Sequence, residues 1–232
     1  LKFKQLQKER EVELSYKSRI EDLRNQALQA QMNPHFIFNS LNAVQHYLSL
    51  NDNSKAIKFL SKFATLIRIV FEFSKKKEIS LASELEMMDL YLSLEQLRFA
   101  RSIEIDFIVE DEVRQKQEQI LLPPLLIQPM IENSFRHGLF HKLEGGKLII
   151  KFEVVYDFHV KCTIEDNGIG RTKTLEMASW KPKQYTSTGL YNTEERIKYW
   201  HEKNKTNITD FFKIEDLFIG NKPSGTKVTL IL

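Results

Sequence analysis

Apolar residues recur at helical spacing through the first third of the chain, and the pattern changes character after residue 77. Residues 1 to 31 are rich in Lys, Glu, Arg, Gln and Leu and contain no Gly or Pro. Leu6, Glu13, Ile20 and Ala27 at one heptad position, with Glu9, Tyr16, Leu23 and Ala30 at the other, form an imperfect coiled-coil seam. The register continues through Pro34, Leu41 and Leu48 on the first line and through Ile37 and Val44 on the second. The spacing predicts a helix reaching to about Leu50, a polar turn over Asn51 to Asn53, and a second helix over Ser54 to Ser74. Two helices so joined pack as an antiparallel hairpin, and two hairpins make a four-helix bundle. Lys75 to Lys77 break the apolar pattern and mark a linker.

Beyond the linker, SLASELEMMDLYLSLEQLRFA predicts a third helix, with Ser83 and Glu86 as a capping box. Strands are expected over Ile103 to Val109, Lys147 to Tyr156, His159 to Glu165, Phe211 to Phe218 and Thr226 to Leu232. Helices are expected over Pro123 to His137 and Leu190 to Lys203. The fold class is therefore α+β: N-terminal helices, then an open, mostly antiparallel sheet covered on one face by helices.

Composition narrows the function. With 42% hydrophobic and 28% charged residues the chain is of ordinary globular type, and a net charge of +3 argues against a broad nucleic-acid surface. Cys162 is the single cysteine, so no intrachain disulfide can form and a reducing compartment is expected. The longest apolar run, Ile120 to Ile131, is broken by Pro123, Pro124, Gln128 and Pro129 and is shorter than the ~20 residues of a membrane helix. The chain opens on Leu1 with a charged helical run and no signal-peptide pattern, so it is expected to be a portion of a longer protein.

Four stretches carry candidate chemistry. In MNPHFIFNSLN, Pro34 stands one residue before His35, and Asn39, Asn42 and His46 follow on the same helical stripe. A proline inside a helix removes one hydrogen bond and crowds the preceding turn, which makes Pro34 a candidate hinge acting at the carbonyl of Ala30. IENSFRHG brings Glu132, Asn133, Arg136 and His137 within about a turn and a half; an amide oxygen suits Mg²⁺, and a guanidinium suits phosphate. DNGIG places Asp166 before Gly168 and Gly170, where the backbone can approach a ligand closely and the carboxylate can accept from an exocyclic amine. TSTGLYN opens a helix, with N–H groups that can meet phosphate. Between Gly170 and Gly189 a polar, net-positive segment has the composition of a lid. Taken one at a time, a polar helix end, a plain turn and a helix cap explain these letters equally well.

Their order is more specific than any one of them. A helix with EN, a strand with DNGIG, a basic segment, TGL and a final strand opened by Gly225 and Thr226 together resemble the nucleotide-binding domain of the GHKL ATPases, over about residues 78 to 232. Joined to NPHFIFNSLN and PPLLIQPMIENSFRHG, the resemblance narrows to the LytS/YehU-like sensor histidine kinases of two-component systems, over about residues 25 to 232. It implies a coiled-coil signalling helix at 1–31, a dimerising phosphotransfer hairpin at 32–77 and a Bergerat-type α/β sandwich binding ATP at 78–232. It further implies His35 as phosphoacceptor, Asn133 as Mg²⁺ ligand, Arg136 and His137 as phosphate-side contacts and Asp166 as adenine reader. Gly168, Gly170, Gly189 and Leu190 would shape the pocket, and Thr226 would line its base. Glu132 is a candidate general base as the acid beside the Mg²⁺ ligand. The implied partners are a second copy of the chain and a response regulator. The implied setting is the cytoplasmic side of an inner-membrane sensor, anchored by a region outside this sequence. Two positions depart from the pattern: Phe36 follows His35 where many histidine kinases carry an acid, and Ser187 stands where a glycine is usual. A non-phosphorylating scaffold and a hydrolysing ATPase are the rival readings.

Overall fold

The computed structural model describes residues 34–98, 103–142, 145–156, 159–171 and 188–232, together with Gln7. The chain divides into two compact units, Leu1–Lys76 and Lys77–Leu232. The 1–31 seam and the hinge point at Ala30 lie outside the described residues, as does the segment 172–187 with Ser187.

In the first unit, helix α1 (Pro34–Ser49) and helix α2 (Asn53–Ser74) form a hairpin. The turn uses Asn51 at φ 57°, a left-handed conformation that asparagine tolerates better than most residues. Asp52 caps α2, its carboxylate accepting from the Lys55 N–H at 3.1 Å. The hairpin buries Phe36, Ser40 and Ala43 of α1 against a stripe of Ala56, Phe59, Leu66, Val70 and Phe73 on α2. Phe36 meets Phe63 with ring centroids 6.1 Å apart, and Tyr47 meets Phe59 at 6.5 Å. The heptad line is not what α1 buries within this chain: Leu41 and Leu48 are exposed, and Ile37 and Val44 half-buried. Phe38 on α1 and Ile57, Leu60 and Phe71 on α2 are exposed as well.

The second unit opens with strand β1 (Ile79–Ser80) and helix α3 (Leu81–Arg98). The cap of α3 lies three residues earlier than the Ser83–Glu86 box: Ser80 Oγ accepts from the Ser83 N–H at 3.2 Å. Leu81 and Ala82 are buried and fall inside the helix, whereas Glu86 is exposed. Strand β2 (Ile103–Val109) is followed by the short helix α4 (Asp111–Lys116), which the apolar pattern did not announce.

The expected helix over Pro123 to His137 is replaced by several shorter pieces. Strand β3 (Leu121–Leu122) pairs antiparallel with β1, a turn follows, and helix α5 begins only at Gln128 (Gln128–Asn133). It runs into one π-helical turn over Ser134–Gly138 and a 3₁₀ turn over Leu139–His141. Pro123 and Pro124 have no N–H to donate and Leu125 is left-handed at φ 57°, so no helix can pass through them. Pro129 is tolerated because it lies in the first turn, where an N–H would have no helical partner anyway.

Strands β4 (Gly146–Val155) and β5 (His159–Asp166), helix α6 (Thr188–Asn204) and strands β6 (Phe212–Ile219) and β7 (Lys222–Ile231) complete the unit. The five-stranded sheet has the order β2-β4-β5-β7-β6, with β2 and β4 parallel and the remaining pairs antiparallel. Alternate residues of β4 and β5, namely Leu148, Ile150 and Phe152 and then Val160, Cys162, Ile164 and Asp166, are buried. Their neighbours, among them Lys151, Lys161 and Glu165, are half-buried on the other face, so one face of the sheet carries the core. On α6, Trp200 Nε1 donates to Leu121 O at 3.0 Å and His201 Nε2 donates to Ile231 O at 2.9 Å. These bonds tie the helix both to β3 and to β7. The fold is thus α+β, helices first and then a mixed sheet with helices on it.

Candidate functional site

At the end of β5, Asp166 stands across from Thr226 of β7 and Leu148 of β4. It is 2% exposed, yet it is a carboxylate, and such a group persists inside only when it is hydrogen-bonded. Its Oδ1 accepts from the Gly168 N–H at 2.9 Å, and the Ser134 side chain and the Thr226 backbone supply further bonds. Burial outweighs these and raises the Asp166 carboxyl to about 6.

Two glycines make room for this carboxylate, and a third makes room for the Asp166 backbone carbonyl. A Cβ on Gly138 would lie 2.5 Å from Asp166 Oδ1, and one on Gly168 would lie 2.3 Å from the Gly138 Cα. Gly225 adopts φ 144°, and a Cβ there would fall 1.9 Å from Asp166 O. Each leaves too little space for alanine. Gly170 is left-handed at φ 78° and packs on Pro223. Asn167 fastens the same loop from the other side: its Oδ1 accepts from Lys147 N at 2.8 Å, and its Nδ2 donates to Gly145 O at 2.9 Å. Just beyond the loop, Arg171 grips Asp216 of β6 through Nε and Nη2 at 2.7 and 2.8 Å.

The structure therefore gathers Asp166, Gly168, Gly170 and Thr226 with the π-helical turn that ends IENSFRHG. Asn133 and His137 are half-buried and Arg136 is exposed. Glu132 is also half-buried, its Oε1 accepting from Gln128 Nε2 at 2.9 Å. Burial, with the charges of Arg136 and His141, lowers His137 to about 4, so its imidazole is neutral at pH 7. Gly189 and Leu190 lie in the first turn of α6, with their surroundings outside the described residues. His35 is helical in α1, one residue after Pro34, and its side chain also falls outside the described set. Along its stripe Asn39 is half-buried, whereas Asn42 and His46 are exposed.

Two residues absent from the motif reading hold the turn that precedes α5. Glu84 of α3 is 0% exposed and accepts from the N–H groups of Leu125 at 2.9 Å and Ile127 at 3.1 Å. Burial raises Glu84 to about 7, against those bonds and the charge of Arg196. Arg196 of α6 donates to Leu125 O at 3.2 Å and also to Pro124 O. The signal for Glu84 was available: it falls among Leu81, Ala82, Leu85 and Met88, where an acid on an apolar helical face requires a partner. Nothing in the sequence near Arg196 sets it apart from a solvated helix face.

What the elements build is a buried, glycine-walled carboxylate beside a helix end that carries an amide and two basic side chains. A profile of the histidine kinase family matches residues 23–103. The uncharacterized protein YwpD of Bacillus subtilis strain 168 is 32% identical over 209 residues, covering 88% of this chain and 68% of that protein. The sensor histidine kinase/phosphatase LytS of Staphylococcus aureus strain Mu50 is 32% identical over 183 residues, covering 77% of this chain. The match spans only 30% of LytS. Among solved structures, the histidine kinase domain of the Erythrobacter litoralis EL346 blue-light activated histidine kinase has a TM-score of 0.46 at 14% identity, covering 83% of this chain and 92% of that one. The chain belongs to the LytS family of sensor histidine kinases, proteins of two-component signal transduction. Among the described residues no helix is long and apolar enough to cross a membrane.

Proposed function

We propose that this chain is the kinase portion of a two-component sensor, in which the Lys77–Leu232 unit binds Mg-ATP and the γ-phosphoryl group is transferred to His35. The observation that carries this reading is Asp166, a buried carboxylate walled by glycines and adjoining the turn that follows Asn133. An ionised carboxylate there accepts from the exocyclic amine of adenine, and the absence of side chains at Gly138 and Gly168 lets that carboxylate and its loop pack closely against the π-helical turn. Gly170, Gly189, Leu190 and Thr226 shape the rest of the pocket. Arg136 faces the phosphates as a cation, and neutral His137 contributes a hydrogen bond instead of charge.

Asn133 suits Mg²⁺, which keeps several waters and takes few protein ligands when it also holds substrate phosphates. The metal supplies charge neutralisation on the phosphate oxygens. The imidazole of His35 must be neutral to attack phosphorus; a new N–P bond forms, the bond to the leaving oxygen breaks, and ADP departs. Glu132, held by Gln128, is the candidate general base for the proton on that imidazole. The phosphoryl group then passes to an aspartate of a response regulator.

The functional division follows the boundaries 1–31, 32–77 and 78–232: signalling helix, phosphotransfer hairpin and catalytic domain. The exposed Leu41, Leu48, Ile57 and Leu60 support homodimerisation through a four-helix bundle, because solvated apolar side chains in such number mark an unfilled interface. Placement on the cytoplasmic face of an inner membrane, through a region beyond this sequence, is part of the same reading.

Incubation with γ-labelled Mg-ATP tests it. An acid-labile, alkali-stable label on the chain, lost in His35→Gln, is the expected result. Release of free phosphate without label would establish a hydrolysing ATPase, and neither product would establish a scaffold.

A further inference from the structure

The turn Pro123–Ile127 lies between an acidic and a basic side chain that belong to helices far apart in sequence. From one side the fully buried Glu84 of α3 takes the N–H groups of Leu125 and Ile127 at 2.9 and 3.1 Å. From the other, the Arg196 guanidinium of α6 donates to Leu125 O at 3.2 Å and to Pro124 O. Leu125 holds φ 57°, a conformation costly for a residue with a branched side chain, so the turn depends on these contacts for its shape. One residue after the turn, α5 begins and carries Glu132 and Asn133. Eight residues before Arg196, α6 begins with Thr188, Gly189 and Leu190.

We propose that Glu84 and Arg196 are positioning residues for the nucleotide site: through the Pro123–Ile127 turn they set the Asn133 helix and the TGL helix start relative to one another. This rests on the ATP-binding reading above. Neither residue touches nucleotide in the proposal. A carboxylate is needed at 84 because it alone offers two acceptor oxygens to converging N–H groups; the amide of glutamine presents one acceptor and turns a donor against the second N–H. An arginine is needed at 196 because its planar fork reaches two successive carbonyls, which a lysine ammonium cannot do in the same geometry.

The test uses the whole chain carrying Glu84→Gln or Arg196→Lys. A fluorescent ATP analogue with Mg²⁺ is titrated at a temperature well below each variant's Tm, alongside hydrogen exchange of the peptides spanning 123–138 and 188–197. The expected result is analogue binding weakened by about tenfold in both variants, the scale of one buried hydrogen bond. Faster exchange in both peptides should accompany it in either variant. Unchanged affinity in a folded Arg196→Lys protein, with only a lowered Tm, would reduce the pair to a fold-holding role and overturn the proposal. Faster exchange confined to 123–138 would overturn it too, because the two site elements would then not be coupled. If the unmutated chain fails to bind the analogue, the ATP reading itself falls and the proposal with it. Arg196→Lys keeps the arm falsifiable should Glu84→Gln not fold.

Discussion

The hairpin and the sheet unit treat their apolar and polar groups in opposite ways. In the sheet unit the inward face of β4 and β5 is closed, and the polar groups taken inside, Asp166, Glu84 and His201, have named partners. The hairpin leaves Phe38 66% and Ile57 69% exposed while its one buried seam is a single stripe deep. A two-helix hairpin has too few residues to enclose a core, so apolar side chains remain exposed on it. The sheet unit is built to hold a fixed site. In the proposed dimer, the exposed side chains of the hairpin would meet a second copy.

Substitutions should separate the two regions. The largest effect is expected from Gly225→Ala, whose new methyl group would meet Asp166 O while the backbone stays at φ 144°. A loss of about 4 kcal/mol in the sheet unit is expected, read as an early transition in denaturant with the hairpin signal unmoved. Next, Leu41→Lys with Leu60→Lys should weaken self-association by on the order of a hundredfold in sedimentation equilibrium while leaving the sheet unit's melting unchanged. A monomeric unmutated chain would remove the contrast between the regions.

The smallest effect sharpens the account of Asp166. Its carboxyl titrates near 6, so the ionised form falls from most of the population at pH 7 to a minority at pH 5. ATP affinity should drop by about tenfold over that interval, and the dependence should vanish in Asp166→Asn. Stability of the nucleotide-free chain should move the other way. Asp166 at about 6, and Glu84 and the buried Glu95 of α3 at about 7, all bind protons more tightly folded than unfolded. The stability they contribute is full below the unfolded carboxylate range and is lost as pH rises through 6 to 7. The Tm of the sheet unit should therefore fall from pH 5 to pH 8.

Local signals made much of this legible. The hairpin was readable because its polar turn and helical periods agree, and the sheet because alternation survives in β4 and β5. The motif order indicated Asp166 and Thr226, which the sheet register pairs, and Gly168, whose N–H donates to Asp166 Oδ1. What escaped was set at long range. Ser80 displaced the expected cap because Leu81 and Ala82 are buried by contacts the local letters do not encode. Pro123 to His137 broke into pieces because Leu125 adopts a left-handed conformation secured by residues 41 and 71 positions away. Gly138 and Gly225 stand inside motifs, but the need for glycine at each follows only from the close approach of Asp166.

The most direct measurement is hydrogen exchange of the intact chain with and without saturating Mg-ATP. Protection of the peptides around 128–138, 166–171 and 223–228 together, absent in Asp166→Asn, is the predicted result. Nucleotide binding that leaves those three segments unprotected would contradict the account.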